Sequence, residues 1–170
     1  MDYRIRELKQ SEAHMLETFA YEAIFQRDPD NLIPREVIKQ PEIRIFYEDF
    51  GKPHDLCFVA EIDGELIGAV WTRILAGKVK GFGHIDAETP EFAISLYQAH
   101  RGKGIGTELM RRMLRELDAR GYKKTSLAVQ KDNYAVRMYQ RVGFSIVKET
   151  DEEYLMVCIL EENSDTEEGL

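Results

Sequence analysis

Residues 101–107 read Arg101-Gly102-Lys103-Gly104-Ile105-Gly106-Thr107, and they stand between an apolar run, Glu91-Phe92-Ala93-Ile94-Ser95-Leu96-Tyr97, and a stretch with helical periodicity that continues to Arg120. Three glycines at a strand-to-helix junction let the backbone take positive φ and come close to a ligand. The first N–H groups of a helix have no partner of their own, and its dipole favours an anion there. Arg101 and Lys103 add positive charge beside this turn. Such a turn expects a phosphate or a pyrophosphate. A Walker loop is excluded, because Lys103 is followed by glycine and not by Ser or Thr. A dinucleotide fingerprint is also excluded, because its last glycine falls on Thr107 when counted from Gly102.

Outward from the turn, the spacing predicts a helix over 104–120 with a core face of Ile105, Leu109, Met113, Leu114 and Leu117, closed by Gly121. KTSLAVQ (124–130) follows as a buried strand, NYAVRMYQRV (133–142) as a short helix, and FSIVKE and EYLMVCIL as two closing strands. Upstream, LCFVAEI, Asp63-Gly64 and ELIGAVWTRIL form a hairpin, since Asp-Gly suits the two positive-φ positions of a type I′ turn. Residues 76–89 hold three glycines without a period and read as a loop. Residues 3–8 alternate as a strand. Residues 11–50 read as two or three helical pieces, with Ser11 as an N-cap, Pro34 and Pro41 in first turns, and Gly51 as a C-cap. The order β-α-α-β-β-β-α-β-α-β-β is an α/β arrangement with helices on both faces of a mixed sheet.

Two motifs now stand in order. Arg101, Gly104 and Gly106 make R-x-x-G-x-G after a strand, and Asn133, Ala135, Tyr139, Gly143 and Phe144 make N-x-A-x-x-x-Y-x-x-x-G-F about thirty residues on. Together they resemble the GNAT superfamily of acyl-CoA-dependent N-acetyltransferases, over nearly the whole chain. The resemblance implies a GNAT-like, mixed and mostly antiparallel central sheet of about seven strands. It implies acetyl-CoA as co-substrate and acetyl transfer to a primary amine of a small molecule or protein by direct attack in a ternary complex. Use of a longer acyl-CoA, or a non-catalytic CoA-sensing role, are the alternatives.

By the same resemblance, Arg101, Gly102, Lys103, Gly104, Ile105, Gly106 and Thr107 hold the cofactor. Leu96 and Tyr97 offer main-chain groups to the pantetheine arm, at a bulge that splays the strand. Asn133 joins the cofactor site, although it lies six residues before Tyr139 where many members have seven, and Asp132 competes for the role. Tyr139 faces the CoA sulfur as a donor, and Glu91 is the candidate base that deprotonates the amine. Read from the residues alone, Glu91 is equally a solvated strand-edge carboxylate, and His84, Asp86 and Glu88 compete with it. Of the aromatics Phe19, Tyr21, Phe25, Phe46, Tyr47, Phe50, Trp71 and Phe82, most read as core and some as an acceptor cleft.

Composition bounds the rest. A chain of 170 residues suits one domain, over 1–160, followed by an acidic tail at 161–170 that reads as solvated and frayed. The net charge of −8 argues against nucleic acid. No apolar run is long enough to span a membrane, and MDYRIRELKQ lacks a secretory core, so a cytoplasmic location is expected. Cys57 and Cys158 read as buried free thiols, and the four histidines lack metal-ligand spacing, so no metal is expected. A homodimer is left open.

Overall fold

The computed structural model describes residues 2–160; the acidic tail lies outside the described residues. Seven strands form one sheet: β1 Arg4–Glu7, β2 Leu56–Ile62, β3 Glu65–Arg73, β4 Glu91–Leu96, β5 Lys124–Gln130, β6 Ser145–Glu149 and β7 Glu153–Ile159. Their spatial order is β1-β2-β3-β4-β5-β7-β6, and every neighbouring pair is antiparallel except β4 with β5. The helices are α1 Met15–Glu22, α2 Pro41–Arg44, α3 Ile105–Ala119 and α4 Ala135–Arg141.

The β2–β3 hairpin turns as its residues dictate, with Asp63 at φ 49° and Gly64 at φ 84°. Helix α3 buries Ile105, Leu109, Met110, Met113, Leu114 and Leu117, and these pack with Phe92, Leu127 and Met156 on one face of the sheet. Gly121, at φ 86°, ends it by giving its N–H to Asp118 while Tyr122 gives its own to Leu117. Helix α4 lies beside α3, where a Cβ on Gly106 would touch Met138 Sδ at 3.4 Å. On the other face, Leu16, Phe19 and Ala20 of α1 pack on Val59, Ala69 and Trp71.

The early helices are shorter than their apolar pattern suggests, and tertiary contacts explain why. Ser11 does not cap α1. A single 3₁₀ turn occupies Gln10–Glu12, because Arg6 draws in Glu12 at 2.8 Å and that carboxylate also accepts the Lys9 N–H at 2.8 Å. Pro41 does open α2, whereas Pro34 stands just ahead of a 3₁₀ turn at Arg35–Lys39. Helix α2 stops early, and its following turns take Asp49 to φ 53° before Gly51. Arg73, buried on β3, donates to the carbonyls of Ile45 and Glu48 at 2.9 and 2.7 Å and pairs with Asp55 at 3.1 Å. Asp55 in turn accepts the N–H groups of Gly51 and Lys52. A buried ion pair thus does what a capping glycine was expected to do.

The feature that makes a site is the parting of β4 from β5. They are paired only at Glu91↔Ser126 and then diverge. The β3–β4 ladder runs without a register shift from Arg73↔Glu91 to Gly68↔Leu96, so the expected bulge is absent there. The opening is made on the β5 side alone.

Candidate active site

Two cavities meet at this opening. The first, of about 530 Å³, is bordered by Gly102, Gly104, Gly106 and Thr107, by the end of α1, and by Arg137, Met138 and Arg141 of α4. The second, of about 310 Å³, lies between α1, α2 and the 76–89 loop and is bordered by Phe46, Trp71, Phe82 and Glu91. Ile94, Asn133 and Tyr139 border both.

The glycine turn has the geometry of an anion cradle. Gly102 and Gly104 are left-handed, at φ 75° and 86°, and Gly104 is the N-cap of α3 without any side-chain cap. Glu108 is the first residue of α3 whose N–H reaches back, to Gly104 at 3.2 Å, which leaves the N–H groups of Ile105, Gly106 and Thr107 free of helical partners. Side chains divide less simply. The Ile105 side chain is buried in the core, and neither it nor Lys103 borders the cavity. Arg101 borders it but is engaged, donating to the Leu96 carbonyl at 2.9 Å and pairing with Glu22 at 3.6 Å. It ties the glycine turn to β4 and α1. Of the three cations that border this cavity, the other two, Arg137 and Arg141, one helical turn apart on α4, form no ion pair among the described residues. Sequence reasoning passed over both, though their i, i+4 spacing within the second motif was visible.

Along β4 the main chain sorts itself by alternation. Tyr97 donates to Ile67 at 3.0 Å and accepts from His100 at 2.9 Å, so its groups are taken, and its ring packs on Phe19. The Tyr97 main-chain groups, expected to serve the pantetheine arm, are engaged within the protein in this structure. In an antiparallel ladder the neighbouring residues point the other way, which sends the main-chain groups of Ile94 and Leu96 into the opening.

Glu91 is not a solvated edge carboxylate. It is 3% exposed, at the last point where β4 has partners on both sides. Gly83 donates its N–H to Glu91 Oε2 at 2.8 Å, and Oε1 has no partner. Burial pushes its carboxyl up to about 7, and the single N–H bond opposes that only in part. The loop glycines make this possible. A Cβ on Gly81 would overlap Glu91 Oε1, and one on Gly83 would stand 2.8 Å from the Leu127 carbonyl carbon. His84, Asp86 and Glu88 do not border the cavity. Asp86 is held below the usual carboxylate range by Thr89 and the Glu88 N–H.

Tyr139 comes from the opposite face, its ring set edge-on to Phe144 at 6.2 Å. Burial pushes its phenol up to about 12, so it is protonated at neutral pH, and its hydroxyl makes no hydrogen bond among the described residues. Asn133 borders both cavities while its Oδ1 accepts the Ala135 N–H at 2.9 Å, which starts α4. Asp132 points elsewhere and pairs with Arg27 at 2.8 Å. Of the eight aromatics, Phe25, Phe46, Trp71 and Phe82 border the smaller cavity, and the others do not.

A profile for the acetyltransferase (GNAT) family matches residues 17–144. The chain belongs to that family. It is 38% identical over 95 residues to mycothiol acetyltransferase of Streptomyces avermitilis, which covers 55% of this chain and 28% of that protein. An acetyltransferase of Pectobacterium atrosepticum is 32% identical over 94 residues, covering 55% of this chain and 60% of that one. The chain thus spans only part of the length of these relatives. Among solved structures, PaiA N-acetyltransferase of Thermoplasma acidophilum in complex with coenzyme A superposes with a TM-score of 0.66 at 20% identity, over 94% of this chain and 99% of that one. YncA of Salmonella typhimurium, described as a putative acetyltransferase with its cofactor acetyl-CoA, gives 0.67 at 18% identity, over 94% and 95%. Both likenesses are likenesses of fold. Among the described residues no helix is long and apolar enough to cross a membrane.

Proposed function

We propose that this GNAT family member transfers an acetyl group from acetyl-CoA to a primary amine of a small molecule or protein, by direct attack in a ternary complex. One observation carries the reading. A cavity with an anion cradle and a cavity with a buried, half-paired carboxylate converge on the same tyrosine through a split in the sheet. A CoA-sensing module would need the first cavity and has no use for the second.

The residues present suit CoA. The free N–H groups of Ile105, Gly106 and Thr107, with Arg137 and Arg141, receive the pyrophosphate, since unpaired donors and cations suit its charge. The main chain of Ile94 and Leu96 holds the pantetheine arm and sets the thioester at the split. Leu96 offers only its N–H, because Arg101 occupies its carbonyl.

The amine enters beside Glu91. An ordinary alkylammonium has a pKa of about 10.4, so about one molecule in 2,500 is neutral at pH 7. A carboxylate raised to about 7 narrows the mismatch from about six pH units to between three and four, which lowers the cost of proton transfer by about 3 kcal/mol. The amine nitrogen then attacks the carbonyl carbon, forming the C–N bond as the C–S bond breaks. Tyr139 gives its proton to the departing sulfur and regains one from the nitrogen, which still carries an excess proton.

The test is thiol release from acetyl-CoA with a panel of amines, with mass spectrometry of the product. Acetylated amine in step with thiol is the expected result. Tight CoA binding with no acetylation of any amine would leave the sensor in its place.

A further inference from the structure

We infer that the acceptor is a compact primary amine carried on an apolar, ring-bearing body, rather than a polyamine or a sugar. The inference rests on the acetyl-transfer reading and concerns the smaller cavity alone. Its volume of about 310 Å³ lies at the lower end of the roughly 300–1,000 Å³ usual for small-ligand sites. Four rings form its walls: Phe25, Phe46, Trp71 and Phe82. Phe46 and Phe82 stack at 6.1 Å with 17° between their planes, and Trp71 is locked in place by its Nε1–H donated to the Phe46 carbonyl at 2.8 Å. Phe82 is nonetheless 53% exposed, an aromatic standing at the lip of a cavity with one face uncovered.

Charge is concentrated at one end. Glu91 Oε1 is buried and unpartnered, so it supplies one site for one ammonium. The other carboxylate bordering the cavity, Glu153, pairs with Gln130, four residues along β5 from Ser126, the partner of Glu91. At strand spacing that is roughly 13 Å away. Glu153 is only half-buried, and water screens a carboxylate there. A second ammonium or a set of hydroxyls placed between the two would face rings and the aliphatic side chains of β5, while Gln130 Oε1 and Asn133 Oδ1 already accept from Arg27 and the Ala135 N–H, so hydration would be lost for little in return. An aryl or branched alkyl body fills the same space and covers Phe82.

Trp71 is the only tryptophan in the chain, so its emission reports occupancy without turnover. Titration with 2-phenylethylamine is expected to change that emission saturably, while spermidine and glucosamine at equal concentration leave it unchanged. Phe82→Ser should weaken 2-phenylethylamine at least about fivefold, the worth of one aromatic contact, with acetyl-CoA binding by calorimetry unaltered. In turnover, kcat/KM for 2-phenylethylamine should exceed that for spermidine by about tenfold or more, a difference of about 1.4 kcal/mol. Preferred acetylation of spermidine or glucosamine would overturn the acceptor inference and leave acetyl transfer standing. Saturable binding of 2-phenylethylamine at Trp71 with no amine acetylated would uphold the cavity's preference and sink acetyl transfer. Equal response in the Phe82 variant would also overturn the inference.

Discussion

The roles proposed for Glu91 and Tyr139 depend on where the two side chains are held. A carboxyl with a pKa of about 7 is a competent base at neutral pH, and ionisation is what activates it. The kcat/KM profile should therefore rise with pH through about 7 and flatten above it. Glu91→Gln, which keeps the shape and loses the base, should abolish that limb and lower kcat by about tenfold or more; an unchanged profile would return Glu91 to a buried structural acid. In the proposed mechanism Tyr139→Phe removes a donor needed mainly as sulfur departs. It should lower kcat by up to about a hundredfold while leaving the acetyl-CoA KM nearly unchanged. A thiol near 8.5 is already a tolerable leaving group, which keeps the effect at the low end. Full kcat in the Phe variant would show that another donor serves the sulfur.

The start of α3 and the 76–89 loop each depend on glycine, for different reasons. At Gly104 a side chain would meet open space, but φ is 86°. The penalty there is backbone strain and a blocked approach to the N–H groups. Gly104→Val should weaken CoA binding tenfold or more by calorimetry, as an order-of-magnitude expectation, with the fold retained. At Gly81 the backbone is ordinary and the obstacle is Glu91 itself. Gly81→Ala should displace the carboxylate or lift the loop. CoA affinity should survive, and the limb near pH 7 in kcat/KM should move or vanish. A variant with the parental pH profile would show that the loop yields without disturbing Glu91.

Folding as a whole feels the same carboxyl. Glu91 binds its proton more tightly folded than unfolded, so its contribution to stability is complete below about 4.5 and is lost as pH rises through about 7. Glu12, drawn down to about 2 by Arg6, acts in the opposite sense, and its contribution is lost only in stronger acid. Between pH 5 and 7.5 the Glu91 effect should dominate. Tm should fall with rising pH in the parent chain, and Glu91→Gln should flatten that slope and melt higher at pH 8. Equal slopes in calorimetric scans of the two proteins would contradict the burial of an ionisable carboxyl.

Much of this protein follows from local pattern. The Asp63-Gly64 hairpin, the long face of α3 from Ile105 to Leu117, and the two glycine-bearing motifs are short-range facts, because turn geometry and helical period depend on neighbours in the chain. Those elements identify the fold and point to the cofactor turn. What sequence could not decide are the properties that arise between segments far apart. The Arg73–Asp55 pair shortens the region of α2, and Arg101, beside the cavity, also braces the glycine turn by meeting Glu22. Whether Glu91 is solvated or buried is open in the sequence until Gly81 and Gly83 close over it. A pKa depends on desolvation and on the nearest donors, and both are set by the loop, the neighbouring strand and the split between β4 and β5, none of which is local to residue 91.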